Sequence, residues 1–389
     1  MKYGIFIAFL IVACILGAYI NISLPLEYEY MLRDLGIYKL TYGDIEQQKF
    51  VMLKFALMWI IGMVLLTNNW AKAWFSWVII CLFCHYNAYA LERTHYILFF
   101  LVLFHVLKDR LNPKGITIIY NTIAVVVLLN VAWMIYQANG GEFLYFPKAG
   151  YEGTPIGVYG NTNNSGALIA LGLPVFFRKK WWIALAPCLY GLYLSNAFVS
   201  IFASLAGICI YIALTSSWKA QTAIILVSAI VIIGYGYFVE NRSHFKDGNL
   251  RIPYWTKIYN EVSKKPVKGH GVAMFRHIFS QIDMITYGTG SPPNKCDKPI
   301  TFHKAHNDYL EMVFNQGYVG LLLFLGFVFS NIIPFAKGIK THHAIVAFTA
   351  VVIAMVVSFG HYTTHSTLIV LPLIYLSILT NQTKERIKL

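Results

Sequence analysis

Apolar runs near the length needed to cross a bilayer recur along the chain, separated by short polar segments rich in Lys and Arg. Twelve can be placed, near 4–20, 51–67, 73–90, 95–107, 115–135, 163–177, 181–195, 198–214, 220–239, 309–330, 344–358 and 366–380. The hydrocarbon core offers no water to backbone groups, so spans of this kind are helices. The pattern predicts an all-α polytopic membrane protein of about twelve transmembrane helices. Three longer polar stretches interrupt it, at 21–50, 136–162 and 240–305. The chain then divides into helices 1–9 (1–239), one large loop (240–305) and a terminal part with three more helices (306–389).

Composition agrees: 58% of residues are hydrophobic and 12% charged, where a soluble domain carries about a quarter charged. With the N-terminus inside, the inner segments hold fourteen Lys and Arg and the outer ones, leaving aside 240–305, hold six. The positive-inside rule therefore puts both termini in the cytoplasm and the large loop outside. The first run reads as a retained span, because no small-residue cleavage pattern follows Ile11-Val12-Ala13-Cys14. Five of the six cysteines fall in apolar runs and Cys296 stands alone in the loop, so the loop has no disulfide framework.

The loop carries eleven basic against five acidic residues. Anionic headgroups or a bound phosphate would each account for that excess. Within it Ile252, Trp255, Ile258, Tyr259 and Val262 recur at helical spacing, which predicts an amphipathic helix on the membrane surface. Pro266-Val267-Lys268-Gly269-His270-Gly271 then predicts a glycine-rich turn. The fourth run is short, so Glu92, Arg93 and His95 at its outer end would sink below the headgroups and line a cavity, or pair and snorkel.

Chemistry concentrates where this loop meets the tenth run, at His306-Asn307-Asp308-Tyr309-Leu310, continuing to Gly317-Tyr318-Val319-Gly320. On one helix His306, Leu310, Val313 and Gly317 would share a stripe, with the glycines allowing close helix packing. Imidazole, with its pKa near 6.5, suits proton removal from a hydroxyl at neutral pH. Arg251, Lys268 and Arg93, all predicted on the same face, suit a phosphate leaving group. Metal binding competes through the pairs His303/His306 and His361/His365, yet no acid pair or cysteine cluster accompanies them, and no metal is expected. Asn161, Asn163 and Asn164 suit either sugar hydrogen bonds or a helix cap. The net charge of +14 is spread over both membrane sides and does not predict nucleic-acid binding.

Three segments resemble the O-antigen ligase and polymerase superfamily of bacterial inner-membrane glycosyltransferases. His306-Asn307-Asp308-Tyr309-Leu310 with Gly317-Tyr318-Val319-Gly320-Leu321 is similar to its H-N-x-x-L…G-x-x-G-L signature. Arg251, Trp255 and Pro266-Val267-Lys268-Gly269-His270-Gly271 are similar to its R…W…P-x-x-G-x-G pattern, and Gly160-Asn161-Thr162-Asn163 to its G-N-x-N motif. The resemblance implies inverting, metal-independent transfer of a glycan from undecaprenyl pyrophosphate to an acceptor hydroxyl on the periplasmic face, with no cofactor. It makes His306 the base and Arg251 a pyrophosphate ligand, with Arg93 and Lys268 beside it and Asn307, Asn161 and His365 lining the substrate site. Two departures stand out. Gln316 replaces the acid common before the first glycine, a role Glu311 or Asp308 would have to fill. Ser195-Asn196-Ala197-Phe198 lacks the relatives' Ser-Arg pair.

The second polar stretch, 136–162, is poor in basic residues. Within the resembling superfamily that favours a ligase acting on lipid A–core over a polymerase joining lipid-linked repeats, and the lack of a large extra domain after the last span speaks against a protein O-glycosyltransferase. A lipid-linked glycan transporter is the reading from another class; it would show repeated halves, and the chain shows none.

Overall fold

The computed structural model describes residues 2–15, 101, 103–105, 107–141, 155–159, 161–178, 182–215, 251–272, 274–279, 305–336, 341–361 and 367–387. The expected spans at 51–67, 73–90 and 220–239 lie outside these residues, as do Arg93, His303 and His365 and much of the large loop. Among the described residues every regular element is helical and no strand occurs. The helices are α1 (Lys2–Ile15), α2 (Pro113–Ala138), α3 (Thr162–Gly172), α4 (Leu185–Ser195), α5 (Phe198–Thr215), α6 (Arg251–Val262), α7 (Met274–Phe279), α8 (Asp308–Ala336), α9 (His342–Gly360) and α10 (Val370–Ile387). Four are long and apolar enough to cross a membrane: α2, α5, α8 over Asp308–Ile332, and α9.

Local chemistry starts and stops these helices. Asn112 caps α2 by accepting from the Gly115 amide at 2.8 Å, and Pro113 fills the first position, where no amide partner is needed. Thr341 caps α9 through the Ala344 amide at 3.2 Å. The expected single helix over 163–177 instead ends at Gly172 and tightens into a 3-10 turn, Leu173–Phe177, around Pro174.

The apolar faces build one core in which α9 packs against α5 and α10, α1 against α2, and α2 against α3 and α4. Gly4 lies so close to α2 that a Cβ there would strike the Gly115 backbone. One end of the bundle collects basic residues: Arg110 donates to the Tyr3 hydroxyl at 3.3 Å, and Asn381 donates to the Lys108 carbonyl at 3.0 Å. The start of α1, the residues before α2 and the last part of α10 therefore meet there. The His306 end of α8 lies at the other end, because Tyr309 donates to the Met355 carbonyl at 2.9 Å near the close of α9.

Two expectations change here. The stretch 309–330 is not one straight helix: Gly317, at φ 69° and ψ −179°, divides α8 into two halves. Both halves reach the same part of α9, Tyr309 through Met355 and Phe359, and Phe324 to Val328 across a shared cavity. The loop helix α6 also does not present its apolar face to lipid. Tyr254, Ile258 and Val262 are buried against α7 and the first half of α8, while Tyr259 faces outward. A protein neighbour, hidden from a periodicity argument, claims the apolar stripe.

Candidate functional site

The first half of α8 carries the motif histidine at its head. Asn307 accepts from the Leu310 amide at 3.0 Å and so caps the helix, which leaves His306 one residue outside it. His306 accordingly does not share the expected stripe with Leu310 and Val313; its φ is 52°, in the left-handed region that few non-glycine residues adopt. Such a backbone persists only where neighbours hold it.

The neighbours are two side chains acting on Ala305, which is fully buried. The Trp255 indole donates to the Ala305 carbonyl at 2.9 Å, and the Glu311 carboxylate accepts from the Ala305 amide at 3.0 Å. Both backbone groups of the residue before the histidine are thus engaged, one from the loop helix and one from α8 itself. Glu311 is 3% exposed. Its charge, together with burial, pushes the Tyr254 phenol above its usual value of 10.0, burial being the larger cause. Acidic residues in this first turn also suit the positive end of the helix dipole.

A second interlock joins the glycine-rich turn to the break in α8. His270 and Gly271 donate their amides to the carbonyls of Phe314 and Asn315, both at 2.8 Å, and the Tyr318 amide donates to the Pro266 carbonyl at 2.8 Å. The Asn315 side chain accepts from the Phe275 amide at 3.1 Å. The backbone groups that the break at Gly317 releases are therefore satisfied by the turn. The glycines serve this backbone contact and not the helix packing expected of Gly317, since a Cβ at Gly317 would strike the Val267 carbonyl. The His270 ring stacks on Phe314 at 4.4 Å and bonds the Glu261 carbonyl through Nε2 at 3.0 Å.

Beneath this roof lies a partly open apolar pocket of about 80 Å³ between α8, α9 and α10. Met312, Phe324, Phe327, Met355 and Leu373 line its depth, and Asp308, Tyr309 and Ser358 are the polar residues on its wall.

Of the expected site residues, Asn307 is buried and its side-chain oxygen serves the cap. Lys268 is exposed in the turn that grips α8, and Arg251 opens α6, one turn before Trp255. Asn161 lies on another helix and caps α3, accepting from the Asn163 and Asn164 amides at 2.8 and 3.3 Å. Asn164 instead reaches α9, where its side-chain oxygen meets His361 Nε2 at 2.8 Å, both residues buried. Sequence reasoning missed the roles of Asn315, His270 and this Asn164–His361 pair. Their partners lie 40 to 197 positions away or are backbone atoms, so no spacing marks them. His303 and His365, one member of each candidate metal pair, fall outside the described residues.

A helical membrane protein with a loop clamped over a buried, positioned histidine motif is the class these features define. Residues 183–325 match a family model described as O-antigen ligase, and the match supports the O-antigen ligase and polymerase superfamily for this chain. The matched region contains α4 to α7, His306 and most of α8. Arg93, Asn161 and His365 lie outside it. No curated protein matches the sequence significantly.

Proposed function

We propose that this protein is an inverting glycosyltransferase that moves a glycan from undecaprenyl pyrophosphate to an acceptor hydroxyl, with lipid A–core as acceptor. His306 takes the hydroxyl proton as the acceptor oxygen attacks the anomeric carbon, and the pyrophosphate leaves with the bonding electrons. Arg251, Arg93 and Lys268 hold that pyrophosphate and stabilise its growing charge; no metal or other cofactor is required. The observation that carries the reading is the double clamp on Ala305 by Trp255 and Glu311, which sets the backbone of His306 in a left-handed conformation.

Two further observations support it. The apolar pocket suits part of a polyprenyl tail, and Asp308 and Tyr309 on its wall follow His306 closely in the chain, so a lipid seated there brings its headgroup toward the base. The basic end of the bundle gathers Lys108, Arg110 and the first and last helices, which suits a cytoplasmic face with both termini on it and a periplasmic active site in the inner membrane.

The test is transfer by purified protein from an undecaprenyl-pyrophosphate glycan to lipid A–core, wild type against His306→Ala. Product that vanishes in the variant while donor still binds supports a ligase with His306 as base. Lengthening of the lipid-linked glycan without modification of lipid A–core would make it a polymerase. Full activity in the variant would overturn the mechanism.

A further inference from the structure

A second cluster of polar side chains lies at the basic end of the bundle, about 28 Å from the His306 end if α9 is measured at 1.5 Å per residue. Arg178, directly after the 3-10 turn Leu173–Phe177, sits over the Tyr120 ring with its guanidinium carbon 5.6 Å from the ring centre. Tyr120, on α2, donates to the His343 carbonyl at 3.0 Å, and its ring lies 5.6 Å from the His343 imidazole. The Tyr375 ring of α10 lies 6.2 Å from the Tyr120 ring. His342 adjoins His343, and Tyr211 of α5 meets it edge-on at 6.3 Å.

Three polar atoms of this cluster have no protein partner among the described residues. Arg178 Nη1, His343 Nδ1 and the Tyr375 hydroxyl are all buried and have no hydrogen-bond partner among the described residues. Tyr375 is completely enclosed, whereas Arg178 is half-buried and His342 exposed, so the cluster opens on one side. An unpaired buried hydroxyl is costly, and an unpaired guanidinium nitrogen costs more. Three such atoms around one aromatic ring therefore call for a ligand. An anion with several acceptor oxygens fits them: the guanidinium and the phenol donate, the imidazole donates from Nδ1 in the tautomer that carries its proton there, and no Asp or Glu falls among the cluster's members. The cap of α9 adds the positive end of a helix dipole.

We propose that Arg178, His343 and Tyr375 form a phosphate-ester site on the membrane face opposite His306, filled by an anionic lipid headgroup or by a soluble phosphate ester. The lateral opening by Arg178 and His342 admits either. Occupancy would tie the 3-10 turn after α3 to α9 and α10.

The full-length protein in detergent micelles is titrated with phosphatidylglycerol, with diacylglycerol (which lacks the phosphate) and with inorganic phosphate, reading the unfolding temperature and bound lipid by native mass spectrometry. A saturable rise with phosphatidylglycerol alone identifies a lipid headgroup; the same rise with inorganic phosphate identifies a soluble phosphate ester. Arg178→Gln is expected to weaken the half-effect concentration about tenfold. Tyr375→Phe removes an unpartnered hydroxyl, so the free protein keeps or raises its unfolding temperature while the ligand response shrinks. Equal responses to phosphatidylglycerol and diacylglycerol with none to phosphate, or an unchanged response in both variants, would overturn the assignment.

Discussion

Trp255→Phe removes one hydrogen bond from the site and keeps an aromatic ring, smaller than the indole, in its place. The indole N–H donates to the Ala305 carbonyl at 2.9 Å, and Ala305 is fully buried, so the carbonyl loses its donor where water cannot replace it. The loss costs about 1–3 kcal/mol of local stability, the penalty of an orphaned buried acceptor. The larger effect falls on geometry. Residue 306 follows directly, in a left-handed conformation worth about 1–3 kcal/mol of strain that Trp255 and Glu311 together sustain. With one clamp gone the strain relaxes and the imidazole shifts. A displacement of about 1 Å in a reacting group costs about a hundredfold in rate. The assay is glycan transfer at saturating donor, compared with donor affinity and with His306→Ala in both backgrounds. A fall in turnover of one to two orders of magnitude, unchanged donor affinity and no further loss on adding Trp255→Phe to the His306→Ala variant are expected. Wild-type turnover, or a loss that multiplies with that of His306→Ala, would refute the claim that Trp255 acts through the histidine.

Gly317→Ala is expected to lower the unfolding temperature sharply and release the loop, because φ 69° with ψ −179° is open almost only to glycine and the new methyl meets the Val267 carbonyl; protease cleavage between 251 and 272 reads the release. The contact between α6 and α8 is expected to weaken as pH rises above about 10: the unfolded Tyr254 phenol ionises there while the folded one, its pKa raised, keeps its proton, so the unfolded state binds fewer protons and stability falls. Tyr254→Phe should flatten that alkaline limb in hydrogen exchange of residues 254–262. His361→Phe leaves the buried Asn164 oxygen without its partner and should cost about 1–3 kcal/mol in thermal unfolding, with α3 and α9 exchanging faster.

The helical class, the bounds of α2, α5 and α9 and the helix α6 with its glycine turn were all readable from the sequence. Each rests on local terms that the chain carries in its own order: apolar length, caps such as Asn112 and Thr341, and the breaking power of Gly and Pro. The motif residues were readable too, as residues. Their arrangement was not. A continuous apolar pattern from 309 to 330 cannot announce a break at Gly317, because the turn that satisfies the released carbonyls of Phe314 and Asn315 lies more than 40 positions upstream. The apolar stripe of α6 looks alike whether lipid or α8 covers it, and only packing chose α8. His306 seemed to top a helix because periodicity cannot see that Asn307 takes the cap and leaves its neighbour outside. The sequence by itself determined which groups are available and which segments are helical, since those follow from nearest-neighbour chemistry. Tertiary structure alone decided where the histidine points its backbone, what holds it and which glycines touch what, since those depend on backbone atoms brought together from distant parts of the chain.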